Sequence, residues 1–80
     1  MNDKKLMNGK IRVVENIGSD SEDLFGEPGT VLTVIDGVFE DLEGYRWEDV
    51  GWSGYKDVDQ INEQFSEEDE YQTVFELVEE

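Results

Sequence analysis

The run Thr30-Val-Leu-Thr-Val-Ile35, followed by Asp36-Gly37 and Val38-Phe39-Glu40, constrains the fold more than any other part of the chain. Val31, Thr33 and Ile35 alternate with Leu32 and Val34, the two-residue period of a strand with a different face for each set. Asp-Gly accepts the positive φ values of a two-residue turn whose twist matches its flanking strands, so the chain doubles back and Val38 begins a return strand. An isolated hairpin is marginal in water and needs further strands over it. With 80 residues there is room for one hydrophobic core and one domain.

Other segments supply those strands. Gly9-Lys-Ile-Arg-Val-Val-Glu-Asn16 carries β-branched Ile11, Val13 and Val14 between Gly9 and Gly18 and reads as a first strand. Residues 17–29 read as a long loop in which Leu24 and Phe25 fold back onto the core and Pro28-Gly29 provides turn chemistry. A turn at Glu43-Gly44 leads to Tyr45-Arg-Trp-Glu-Asp-Val50, read as a strand with Tyr45 and Trp47 on one face and packed in the core. Val58, Ile61 and Phe65 lie at helical spacing behind Asp57, with Gln60 placed as in a capping box, so a short helix is predicted near 58–65.

The tail has two readings. Tyr71, Val74, Phe75 and Val78 fit a helical repeat, but Tyr71, Thr73, Phe75 and Leu77 also alternate with Gln72 and Glu76 in a β-rich run. A helix ending in Glu79-Glu80 would oppose its own dipole, which favours a closing strand with the 66–70 acidic run as a loop.

Charge limits the function more sharply. The chain has 22 Asp and Glu against 6 Lys and Arg, no His and no Cys, for a formal charge of −16. Four of the bases (Lys4, Lys5, Lys10, Arg12) fall within the first twelve residues, and residues 1–8 read as a flexible basic arm ahead of a domain spanning 9–80. A polyanionic body is repelled by phosphate backbones and anionic lipid, so neither nucleic acid nor membrane is expected as a direct partner; the basic surface of a protein is. No apolar run of roughly 20 residues and no apolar leader core are present, so a cytoplasmic location is expected.

Lys10-Ile-Arg-Val-Val-Glu-Asn16, Phe25-Gly-Glu-Pro-Gly-Thr-Val-Leu-Thr-Val34 and Val74-Phe-Glu-Leu-Val-Glu-Glu80 together resemble the small SH3-like or KOW-like barrel proteins of Gram-positive bacteria and their phages. The resemblance implies a mainly β fold, a small SH3-like barrel of about five strands with one short helix. It spans roughly residues 9–50 and the tail, and 51–70 departs from it as an insertion. The chain lacks an Ala-Leu-Tyr-Asp-Tyr-like loop and the basic residues of KOW domains, so neither proline-rich nor RNA ligands carry over.

Enzymatic chemistry has little to stand on. Without His or Cys the usual nucleophile and base pairs and imidazole or thiolate metal sites are missing, and no phosphate-cradling glycine loop precedes a Lys-Ser or Lys-Thr. Asp57-x-Asp59 opens like a calcium loop but has Asn62 where the sharp turn requires Gly. No cofactor and no metal site are expected.

What remains is an acidic protein-binding module. Its expected contact residues are Asp20, Glu22 and Asp23 of the long loop, Glu40, Asp41 and Glu43 of the hairpin, Glu48 and Asp49, and the Glu67, Glu68, Asp69, Glu70 run. Trp52 and Tyr55, set among glycines, join them as aromatic residues open to either core packing or partner contact. In its strong form such a module mimics nucleic acid and inhibits a basic nucleic-acid-processing protein. The alternative is a phage or bacterial structural or accessory protein whose acidity is incidental.

Overall fold

The computed structural model describes residues 5–79. Four strands, β1 (Gly9–Asn16), β2 (Val31–Ile35), β3 (Val38–Phe39) and β4 (Thr73–Val78), form one antiparallel sheet in the order β3-β2-β1-β4 that curls into a half-barrel. Two helices, α1 (Ser21–Phe25) and α2 (Val58–Phe65), complete the regular structure, with 3₁₀ turns at Glu48–Val50 and Asp69–Tyr71. The mainly β architecture, the central hairpin, the helix near 58–65 and the closing strand all match the expectation.

The tail is a strand because β1 lies open on the side away from β2 and Phe75 pairs with Val13 across it. This alignment drives Thr73 and Phe75 into the interior, while Val74 and Glu76 face out. An extra residue at Val14 bulges β1 against β4, a device that increases local twist and bends the sheet.

α2 begins at Asp57, whose carboxylate accepts the Gln60 amide at 3.0 Å, and the Gln60 side chain in turn accepts the Lys56 amide. Its inward face delivers Ile61 and Phe65, both fully buried, onto the sheet.

Three expectations need correction. There are four strands rather than five: residues 45–50 contribute only an isolated pairing of Arg46 with Glu40 before turning through Glu48–Val50 to Gly51 at φ 88°. The 17–29 segment is not wholly loop, since α1 forms within it and the Ser21 hydroxyl donates to the Gly18 carbonyl at 2.9 Å. Residues 5–8 are not a free arm either. Met7 is buried, its amide donates to the Tyr55 carbonyl and its carbonyl accepts from Gly37, which ties the segment to the hairpin turn. Residues 1–4 of that expected arm lie outside the described residues.

The core is centred on Phe25. Its ring meets Phe39, Phe65 and Phe75 at centroid distances of 5.3, 5.1 and 5.1 Å, the last two edge-on, so one side chain joins α1, β3, α2 and β4. The predicted return of Phe25 from the loop onto the core is therefore observed.

β4 is an edge strand, and α2 covers part of that edge. The Asn62 side chain accepts the Phe75 amide at 2.8 Å and donates to the Phe75 carbonyl at 2.9 Å, copying the two bonds a neighbouring strand would make. Asn62→Leu is expected to cost about 2 kcal/mol, because two backbone groups of a buried residue lose their partners. It should also leave a pairing edge prone to association. Urea unfolding followed by tryptophan fluorescence measures the first effect, and light scattering near the midpoint the second.

Candidate functional site

The tertiary structure divides the expected contact residues into three sets. The first set gathers around α1. Beyond the end of β1 the chain continues beside the approach to β4: the Ile17 and Gly18 amides both donate to the Gln72 carbonyl at 2.9 Å, and the Asp20 amide donates to the Glu70 carbonyl at 2.8 Å. Gly18 is required here by space, because a Cβ would stand 2.3 Å from the Glu70 carbonyl oxygen. This stitching sets Asp20, Glu22 and Asp23 beside Asp69 and Glu70, segments almost fifty residues apart in sequence. On the other side of α1, the Leu42 amide donates to the Leu24 carbonyl at 2.9 Å and brings in Glu43.

The result is an anionic ridge carried by three segments. Glu22, Asp23, Glu43, Asp69 and Glu70 are exposed and Asp20 is half-buried. At its centre Asp20, Asp23, Leu24 and Tyr71 line a shallow cleft of about 290 Å³. Glu67 and Glu68 prolong the ridge toward the end of α2, where the Gln64 side chain donates to the Glu68 carboxylate at 2.6 Å. Among the described residues no three carboxylates converge in a way that could hold a metal ion. They are spread along a surface instead.

The second set stands apart from the ridge and is partly neutralised. Glu40 lies opposite Arg46 in the isolated pairing, and Arg46 forms an ion pair with Glu48 at 3.4 Å while donating to the Ile35 carbonyl. Asp49 follows in the same 3₁₀ turn.

The third set is interior, which corrects its assignment as contact surface. Asp41, 8% exposed, receives the Glu43 and Tyr45 amides on Oδ1 at 2.8 and 2.9 Å and the Trp47 indole N–H on Oδ2 at 2.8 Å. It folds the 41–47 loop back on itself and is not available to a partner. Trp52 is buried among Phe39, Phe65, Tyr71 and Trp47. Tyr55 is buried too, and burial, reinforced by the nearby Glu68 charge, pushes its phenol above the usual tyrosine range. Both aromatics fill space left between α2 and the hairpin. Tyr45, expected in the core, is 51% exposed and stacks edge-on against Trp47, which is itself half-buried.

The exposed apolar members of the region, Leu42 and the partly buried Leu24 and Tyr71, were not among the expected contacts. The sequence pattern sets Leu24 in the core and Tyr71 at the start of a strand. Only the closeness of 20–24 to 70–72 shows that they flank the same acids.

Among the described residues there are two ion pairs, Arg12–Glu76 and Arg46–Glu48, both exposed, so added salt has few favourable contacts to weaken and many like-charge repulsions to screen. The melting temperature is expected to rise by about 5 °C between about 10 and 300 mM salt, equivalent to roughly 1 kcal/mol for a domain of this size. A flat response in calorimetry would contradict repulsion along the ridge.

Comparison with protein-family models, with curated proteins and with solved structures returns no significant match. The fold and the site therefore define the chain as a small mainly β protein bearing a concentrated anionic surface.

Proposed function

We propose that the chain is a non-enzymatic protein-binding module that docks its anionic ridge on the basic surface of a protein partner. In its strong form the ridge presents a phosphate-like field to the groove of a nucleic-acid-processing protein and inhibits it. One observation carries the reading: backbone hydrogen bonds set the acids of 20–23 beside Asp69 and Glu70 on one side of α1 and bring Glu43 in on its other side, while Arg12 and Arg46 pair elsewhere. Gathering like charges is unfavourable within the fold, which makes a surface of this kind better suited to meeting opposite charge outside it. Electrostatic docking of this sort gives fast association and steep salt dependence.

In the same reading the curled sheet is the larger part of an SH3-like barrel, with α2 closing the gap between β3 and β4, and the protein acts in the cytoplasm. No helix among the described residues is long and apolar enough to cross a membrane.

The test is affinity capture from a bacterial lysate, with bound proteins identified by mass spectrometry. Basic nucleic-acid-binding proteins are expected to bind at low salt, to elute as salt rises and to be displaced by duplex DNA. Neutralising the ridge with Asp20→Asn, Asp23→Asn, Asp69→Asn and Glu70→Gln together should abolish capture without lowering the melting temperature. Capture that survives those four changes, or that ignores both salt and DNA, would refute the reading.

A further inference from the structure

Asn8-Gly9 is the one Asn-Gly step in the sequence, and the fold sets it at a seam. Asn8 is exposed and lies just ahead of β1, where its side chain joins the 5–8 segment to the hairpin turn: Oδ1 accepts the Asp36 amide at 2.9 Å and Nδ2 donates to the Leu6 carbonyl at 3.4 Å. Gly9 stands at a corner of the sheet. It opens the β1–β2 ladder opposite Val34, while β4 pairs no further than Lys10. A Cβ on Gly9 would meet nothing within 4 Å, and its φ is not positive, so neither space nor backbone conformation calls for glycine there.

We propose that Asn8 is a site of spontaneous deamidation through a succinimide, and that the rearranged product releases the segment ahead of β1. The Gly9 amide nitrogen gives up its proton and attacks Asn8 Cγ. An N–Cγ bond forms, the Cγ–Nδ2 bond breaks, and ammonia leaves with the proton. Water then opens the ring: cleavage at Cγ leaves aspartate on an ordinary backbone, and cleavage at the main-chain carbonyl leaves isoaspartate, with the chain running through the former side chain. Nothing is oxidised or reduced, and water is the co-reactant. The Asp36 N–H already donates to Oδ1, the atom on which negative charge develops as the nitrogen adds. Glycine places no side chain beside the attacking nitrogen and lets the backbone turn toward Cγ. Attack requires the Gly9–Val34 pair to open, and the last pair of a ladder opens first. Asp36-Gly37 lacks that freedom, because Gly37 is buried and its amide is held by the Met7 carbonyl.

The two products act differently on the fold. Aspartate keeps an oxygen for the Asp36 amide and leaves the chain its length. Isoaspartate inserts a methylene into the main chain between residues 8 and 9, which puts Met7 out of step with β1. The Met7 amide and carbonyl, bound to the Tyr55 carbonyl and the Gly37 amide at 2.9 and 2.8 Å, then lose that geometry while Gly9 stays opposite Val34. Met7, now 8% exposed, is freed from the hairpin turn. The release runs one way, since the lost ammonia does not return. It needs no partner and is independent of docking by the ridge.

Incubation of the folded full chain in mildly alkaline buffer, followed by intact mass and by peptide mapping that separates aspartate from isoaspartate, tests the site. The expected result is a gain of about 1 Da confined to the peptide holding Asn8 and Gly9, faster as pH rises, with both products present. Isomerisation at Asp36 changes no mass and is not mistaken for it. Gly9→Ala, which has room for its methyl group, is expected to fold and to slow the gain by about tenfold or more. Amide hydrogen exchange tests the release: the Met7 amide should exchange at least about tenfold faster in the isoaspartate form than in Asn8→Asp, which carries the same added charge on an ordinary backbone. Mass gained only by chain unfolded in urea, or gained equally by Gly9→Ala, would overturn the site. Equal Met7 exchange in the isoaspartate form and in Asn8→Asp would overturn the release.

Discussion

Replacing Phe25 by Ala is expected to unfold most of the protein at 37 °C. The ring is fully buried and contacts Phe39, Phe65 and Phe75, one from each of β3, α2 and β4. Truncating a buried phenylalanine costs about 3–5 kcal/mol through lost transfer energy and the cavity left behind. At roughly 0.05–0.15 kcal/mol per residue, a chain this short holds about 4–12 kcal/mol in total, so the loss consumes much or all of it. Phe25→Leu retains most of the volume and should cost only about 1.5 kcal/mol. Urea titration monitored by near-ultraviolet circular dichroism separates the two variants. An Ala variant within about 1 kcal/mol of the parent would show that the aromatic cluster relaxes around the gap. The same change bears on the site, because Phe25 is the anchor of the helix that carries Glu22 and Asp23.

The second large effect is expected at Asp41. Its carboxylate satisfies two amides and the Trp47 indole N–H from a buried position, and Asp41→Ala leaves all three donors without that acceptor. Hydrogen bonds to a charged group contribute about 1.5–3 kcal/mol each but are not additive within one cluster, so a loss of about 3 kcal/mol is expected. Asp41→Asn keeps one oxygen for the amides but turns an NH₂ toward the indole donor, and should fall between Ala and the parent. Trp47 fluorescence reports the release of the indole, and chemical denaturation gives the stability. A near-neutral Asp41→Ala would mean that the 41–47 loop is held by its backbone alone.

Asp41 also shows where the sequence misleads. By charge it matches Glu40 and Glu43 in Glu40-Asp-Leu-Glu43, yet as the one aspartate it has the short carboxylate that caps a turn, and it alone of the three is an interior acceptor. The strand expected at Tyr45–Val50 fails for the same reason. A carboxylate that captures the amides of residues 43 and 45 offers the backbone an alternative to a ladder, and alternation of Tyr45 with Trp47 carries no trace of that competition. Trp52 and Tyr55, set in a glycine-punctuated segment, have the surroundings of exposed loop aromatics. They are buried because α2 and the β2–β3 hairpin leave space that only large side chains fill.

The sequence alone determined what depends on near neighbours. Alternation in 30–35, the Asp36-Gly37 turn and the capped spacing of 57–65 are local patterns, and each produced the element expected of it, whereas the tail, open to two readings, became a strand on the free edge of β1. Net charge is likewise a sum that no fold alters. Tertiary structure decided everything that depends on distance between remote segments: which acids stand together and which is buried. The ridge exists because Gly18 lets β1 run on against Gln72 and Glu70, and the pairing of chain positions this far apart is fixed by the register and packing of the whole sheet.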